Sequence, residues 1–116
     1  MTVAVFAALA DPSRLEMVRR LSREGPLTTG ALTSELGISR QAAERHLSVL
    51  ESSGLVRTRR SGRVAMRELD PETLDQVRRW MEELGHAWDE RLSRLEAGYA
   101  SHPTSQKTDE SSGGVG

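Results

Sequence analysis

The sequence predicts a mainly α-helical chain carrying one small β-hairpin, and three observations support that reading. Apolar residues recur every three to four positions through most of the chain. Asp11-Pro12 and Asp70-Pro71 each read as a helix start, with an aspartate to cap free N–H groups and a proline suited to the first helical position. The helical period breaks once, after Gly54, in the stretch LVRTRRSGRVAMREL, which has a turn signal at Ser61-Gly62.

With 116 residues, 36% hydrophobic and 28% charged, the chain has the size and composition of a single packed domain. That domain is expected over residues 1–99. Residues 100–116, SHPTSQKTDESSGGVG after Ala100, hold almost nothing to bury and are expected to be disordered. No apolar run approaches the roughly 20 residues that span a bilayer, so no membrane association is expected. The start MTVAVFAALADP lacks the basic n-region of a signal peptide, which makes the cytoplasm the expected location. The absence of cysteine excludes disulfides, a thiolate metal site and a thiol redox switch. The chain has no glycine-rich phosphate loop, nucleophile elbow or His-Glu-x-x-His run, so an enzyme is not expected.

A first helix is expected from about Val3 to Ala10, where Val3, Phe6 and Leu9 are spaced by three. A second begins at Asp11-Pro12, carries Leu15, Val18 and Leu21 with Met17 alongside, and stops at Gly25-Pro26. Thr28 can cap a short third helix, in which Leu32 and Leu36 share a face until Gly37 ends it. Ile38 and Ser39 follow, and Ser39 caps a fourth helix. The hairpin comes next; an isolated hairpin is marginal in water and must lean on the helices. Leu69 and Leu74 then fall at the N′ and N4 positions of a hydrophobic staple around Asp70-Pro71. The last helix is the longest, roughly Pro71 to Tyr99. Its apolar positions Leu74, Val77, Met81, Leu84, Trp88, Leu92, Leu95 and Tyr99 form nearly a heptad seam, with one extra residue between Trp88 and Leu92.

The stretch ELGISRQAAERHLSVLESSGL shows what the third and fourth helices are for. Arg40, Gln41, Glu44, Arg45 and Ser48 make one continuous polar face on the fourth helix, while Ala43, Leu47 and Leu50 face the other way, toward Leu32, Leu36 and Ile38. Two short helices joined by a tight turn, the second faced with Arg and Gln, form a helix-turn-helix whose second helix suits a DNA major groove. Arginine bonds O6 and N7 of guanine in bidentate fashion, glutamine does likewise on adenine, and glutamate accepts from the cytosine amino group. The Ser39 hydroxyl and the helix N-terminus suit a phosphate. The hairpin tip, Arg59-Arg60-Ser61-Gly62-Arg63, can track a phosphate backbone or probe a minor groove. Charge is segregated accordingly. Residues 40–67 hold seven arginines against two acids, a balance of +5, and residues 68–96 hold nine acids against four arginines, a balance of −5.

FAALADPSRLEMVRRL followed by ALTSELGISRQAAERHLSVLESSGLVRTRRSGRVAMREL resembles the ArsR-type (ArsR/SmtB-like) winged helix-turn-helix transcriptional regulators over roughly residues 4–96. The most telling pieces are Leu9-Ala10-Asp11-Pro12-Ser13-Arg14, His46-Leu47-x-x-Leu50 and Gly54-Leu55-Val56. The resemblance implies a homodimer whose first and last helices form the interface, whose paired recognition helices read a palindrome, and which represses by occupying an operator. The chain departs from the family pattern in three places. Val64-Ala65-Met66 stands where many members have an aromatic pair. Gln41, Ala43 and Glu44 replace a frequent Pro, Val and Ser. Leu-Thr-Ser at 32–34 replaces the Cys-Val-Cys element of the thiolate metal site.

The expected DNA-contacting set is therefore Thr28, Thr29, Ser39, Arg40, Gln41, Glu44, Arg45, Ser48, Arg59, Arg60 and Arg63. The expected dimer interface is Phe6, Leu9, Leu74, Val77, Met81, Leu84, Trp88, Leu92 and Leu95. No metal or cofactor is expected. His46 is read as a helix-packing residue, His102 falls in the tail, and His86 with Glu82, Glu83 and Glu90 supplies at best part of a nitrogen/oxygen site. Trp80 and Trp88 read as core or interface anchors, or alternatively as walls of a pocket for a small apolar effector. Gly85 allows a partner helix to approach closely. Two rival functions remain at this level: a sensor of the same fold for a small organic ligand or a non-thiol metal, and a winged-helix protein-interaction module.

Overall fold

The computed structural model describes residues 2–98, so Tyr99, His102 and the expected disordered tail lie outside the described residues. The elements run α1 (Thr2–Leu9), α2 (Pro12–Glu24), α3 (Thr29–Thr33), α4 (Arg40–Ser52), β1 (Val56–Ser61), β2 (Val64–Leu69) and α5 (Pro71–Gly98). This is the expected order, mainly α with one antiparallel hairpin. The chain divides after Arg79 into two compact units. The first holds α1 through β2 and the start of α5; in the second, the described residues are the continuation of α5.

Local chemistry sets the helix boundaries. Asp11 is extended and its Oδ2 accepts from the Arg14 N–H at 3.0 Å, with Pro12 at the first helical position. Thr28 Oγ1 accepts from Ala31 N–H at 3.1 Å, and Ser39 Oγ accepts from Ala42 N–H at 3.0 Å. Asp70 Oδ1 accepts from Glu72 N–H at 2.9 Å. Leu69 and Leu74, the expected staple pair, line one cleft together with Leu21 and Pro71.

The core of the first unit is Val5 and Ala8 of α1, Met17 and Leu21 of α2, Leu32 of α3, Ala43, Leu47 and Leu50 of α4, and Leu55 and Val56 at the entry to β1. Leu36 and Ile38 pack against it from the turn, as the pattern of α4 required. The expected face of α2 needs a correction. Leu15 is 40% exposed, and the buried positions are Met17, Arg20 and Leu21. Arg20 tolerates burial because its guanidinium is paired with a carboxylate and bonds through all three nitrogens. It pairs with Glu24 through two bonds and donates to the carbonyl oxygens of Ala31 at 2.7 Å and Leu32 at 3.4 Å, which locks α2 to α3.

Gly54 leaves α4 at φ +89°, a conformation that disfavours L side chains, and a Cβ there would stand 3.3 Å from Thr73 Oγ1. From it the chain enters the hairpin, whose register runs from Val56↔Leu69 to Ser61↔Val64. Gly62-Arg63 is left as a two-residue turn, with Gly62 at φ +64°. The hairpin is anchored at its base twice. Asp70 N–H donates to Leu55 O at 2.9 Å, and Leu27 bridges Arg67 through N–H···O bonds of 2.9 and 2.8 Å. Among the described residues no helix is long and apolar enough to cross a membrane.

Candidate nucleic-acid interface

A polar groove of about 430 Å³ separates α4 from the hairpin. Arg40 and Glu44 form its α4 side, Arg60, Arg63 and Arg67 its hairpin side, and Thr28 and Thr29 close one end. Exposed Gln41, Arg45 and Ser48 continue the α4 surface. Among the described residues, Arg40, Arg45, Arg60 and Arg63 have no carboxylate within ion-pair distance. Three uncompensated guanidiniums lining the groove, Arg40, Arg60 and Arg63, with Arg45 on the adjoining helix face, make a local positive potential suited to a polyanion.

Three members of the expected contact set sit differently from the sequence pattern. Thr29 is only 4% exposed, so it belongs to the floor under the groove and not to a contacting surface. Glu44 is not a free acceptor, because its Oε1 takes a bond from Arg67 Nη2 at 2.9 Å. Arg59 belongs to the other face of the hairpin. Side chains alternate along a strand, so Arg57 and Arg59 share one face while Thr58 and Arg60 share the opposite one. On that far face, Glu68 is held by Arg57 Nε at 2.6 Å and by Arg59 Nη2 at 2.9 Å. The Arg57 hydrogen bond, reinforced by the charge and hydrogen bond of Arg59, keeps the Glu68 carboxyl below its ordinary value. Thr28 is partly engaged as the α3 cap, and Ser39 as the α4 cap, although Ser39 remains exposed with its hydroxyl proton free to donate.

Arg67 went unrecognised in the sequence. Its side chain joins Glu44, Glu51 and Thr58, and only the hairpin register, which sets Thr58 opposite Arg67, points to it.

The expected interface positions divide between the two units, Phe6, Leu9, Leu74 and Val77 in the first and Met81, Leu84, Trp88, Leu92 and Leu95 in the second. Val77 and Leu9 are partly buried, whereas Phe6, Leu74, Met81, Leu84, Trp88, Leu92 and Leu95 are exposed, Trp88 at 57%. No residue of α5 is buried. His86 Nε2 lies 3.3 Å from Glu90 Oε2, both well exposed, and among the described residues no three His, Cys, Asp or Glu group so as to hold a metal ion.

Comparison with known proteins agrees with this geometry. A helix-turn-helix domain family matches residues 9–59. The chain is 38% identical over 95 residues to the HTH-type transcriptional regulator Rv2034 of Mycobacterium tuberculosis, covering 82% of this chain and 81% of that one. It superposes on an ArsR-like transcriptional regulator from Rhodococcus sp. RHA1 with a TM-score of 0.72 at 33% identity, over 83% of this chain and 90% of that one. The chain belongs to the ArsR family of winged helix-turn-helix transcriptional regulators. In the terms of that family, α4 is the recognition helix and the β1–β2 hairpin is the wing. A further ArsR-like neighbour is the homodimeric winged helix-turn-helix DNA-binding domain from Mycobacterium bovis, at TM-score 0.58 and 28% identity over 79% of this chain and 82% of that one. Family and fold are those of DNA-binding regulators, not of enzymes.

Proposed function

We propose that this ArsR-family regulator acts in the cytoplasm as a homodimeric repressor that occupies a palindromic operator. The observation that carries the reading is the set of unpaired guanidiniums, Arg40 on the recognition helix with Arg60 and Arg63 at the wing tip around one groove, and Arg45 on the adjoining exposed face of the same helix. Gln41 and the two helix arginines suit base edges, and the wing-tip arginines suit phosphates. The exposed apolar stripe along α5 supports pairing of two copies, because a stripe of this length needs a covering surface. Two-fold symmetry then presents two recognition helices to two half-sites.

Selection of bound sequences from a random DNA pool tests the proposal. A palindromic consensus with two half-sites about one helical turn apart is the expected outcome. Recovery of no preferred sequence, with binding insensitive to salt, would sink it and favour a protein-interaction module.

A further inference from the structure

Arg67 differs from the arginines around it. Its side chain is only 12% exposed, although it lies in the second strand of a wing that is otherwise largely open to solvent. Nη1 donates to Glu51 Oε2 at 2.9 Å and to Thr58 Oγ1 at 3.0 Å, while Nη2 donates to Glu44 Oε1 at 2.9 Å. Thr58 also bonds Glu51. Glu44 and Glu51 stand about two turns apart on the recognition helix, so a single guanidinium grips that helix at two points. The backbone of the same residue is fixed from the other side, with its N–H and C=O both bonded to Leu27. Its Nε is buried without a hydrogen-bond partner, so the two carboxylates, and not the needs of the Nε, determine where the guanidinium sits.

We infer that Arg67 is the positioning residue that sets the reach and angle of the wing relative to the recognition helix, and that Glu44 anchors it instead of reading a base. The inference rests on the DNA-binding reading above for its functional meaning. About four residues separate Arg67 from the turn, a lever of roughly 13 Å, so about 10° of play at Arg67 moves the tip by roughly 2 Å, most of a hydrogen-bond length. Arg60 and Arg63 can meet phosphates in register with the recognition helix only if that play is removed. Pairing with Arg67, shared with Glu51, also offsets part of the charge of Glu44, which would otherwise oppose an approaching phosphate in full. A lysine cannot replace the fork, because an ammonium cannot present paired donors in one plane to two carboxylates.

The chain has no cysteine, so Ser61→Cys gives a single attachment point for a nitroxide at the wing tip. In the free protein the label should broaden a narrow, reproducible set of recognition-helix amides. In Arg67→Lys that broadening should spread and weaken, while the resonances of Leu47 and Leu50 keep their positions. A Glu44→Gln/Glu51→Gln double variant, which removes the same grip from the other side, should behave alike. Unchanged broadening in both variants overturns the inference. On the selected operator, Arg67→Lys should lose about tenfold in affinity, as Arg60→Ala/Arg63→Ala does, and the combined variant should lose no more. Fully additive losses overturn it. Glu44→Gln should leave the preferred sequence unchanged, and an altered preference in the half-site overturns that part. If the unaltered protein selects no DNA sequence, the DNA-binding reading fails, and the label measurement still decides whether Arg67 positions the wing.

Discussion

Arg14 and His46 meet across 32 residues of sequence, with Arg14 Nη1 3.3 Å from His46 Nδ1. The same arginine donates from Nε to the Ala8 carbonyl at 2.5 Å, and the Asp11 carboxylate that caps α2 lies 3.8 Å from the histidine ring. One side chain thus joins the end of α1, the start of α2 and the middle of the recognition helix. The pairing surface proposed on α1 is thereby mechanically connected to the recognition helix.

Removing that junction should be costly for stability. Arg14→Ala leaves a carbonyl of a buried residue, Ala8, without its charged donor and is expected to destabilise the domain by about 1–3 kcal/mol. Arg14→Lys should recover only part of this, because one ammonium cannot reach both partners with the same geometry. Denaturant midpoints check the expectation, and a midpoint unchanged in Arg14→Ala would refute it.

Base reading and phosphate holding should separate by mutation. Gln41→Ala is expected to relax preference at one or two operator positions, costing ~1–3 kcal/mol of discrimination there. Arg60→Ala should weaken binding to every sequence alike and reduce the salt slope by about one. Sequencing of bound pools and salt titrations measure the two effects. An unaltered consensus in Gln41→Ala would show that the reading face lies elsewhere.

The Arg57–Glu68–Arg59 cluster gives the wing an acid sensitivity. Glu68 has a folded-state pKa below its ordinary value of 4.5, because Arg57 and Arg59 favour the charged carboxylate. The resulting stabilisation is complete above that ordinary value and is lost as the pH falls through the lower folded value. Glu24, held by Arg20, Asp11, bonded by the Arg14 N–H, and Asp75, bonded by Arg78, are lowered in the same direction and lose stability in the same acid window. Glu68→Gln should therefore be less stable than the unaltered chain at neutral pH and approach it below pH ~4. Urea midpoints from pH 7 down to pH 3 measure this, and a constant difference across that range would contradict it.

Pairing should depend on the seam. Trp88→Glu places a charge in the middle of the exposed stripe formed by Met81, Leu84, Leu92 and Leu95 and is expected to give monomers. Specific DNA binding should disappear with the dimer, since one half-site holds a single domain weakly. Sedimentation at micromolar concentration reports the first effect and operator binding the second. A Trp88→Glu protein that remains dimeric would exclude this interface.

The parts of the structure legible in the sequence were those that depend on near neighbours. Asp11, Thr28, Ser39 and Asp70 cap helices by bonding N–H groups two or three residues on, so a short window contains the whole interaction. The core of α4 was legible for a similar reason, because Ala43, Leu47 and Leu50 stand out against a polar face. The burial of Arg20 in place of Leu15 was hidden, since it depends on carbonyls of α3 more than ten residues away. The Glu44–Arg67 pair spans 23 residues and exists only once the hairpin has folded back on α4. Arg59 and Arg60 looked equivalent as neighbours in a basic run, and the alternation of a strand put them on opposite faces.

The bridge between Leu27 and Arg67 has a consequence for solubility. A two-stranded ribbon has two open edges, each with N–H and C=O groups able to recruit a strand from another molecule. On β2 the Leu27 backbone already occupies both outward groups of Arg67, so an incoming strand finds its template interrupted close to the root. On β1 the side chains of Arg57, Arg59 and Arg60 would bring like charges together if two such edges met. The wing can therefore stand out in solvent, as the contacts proposed for its tip require, without seeding growth of a sheet from one molecule to the next.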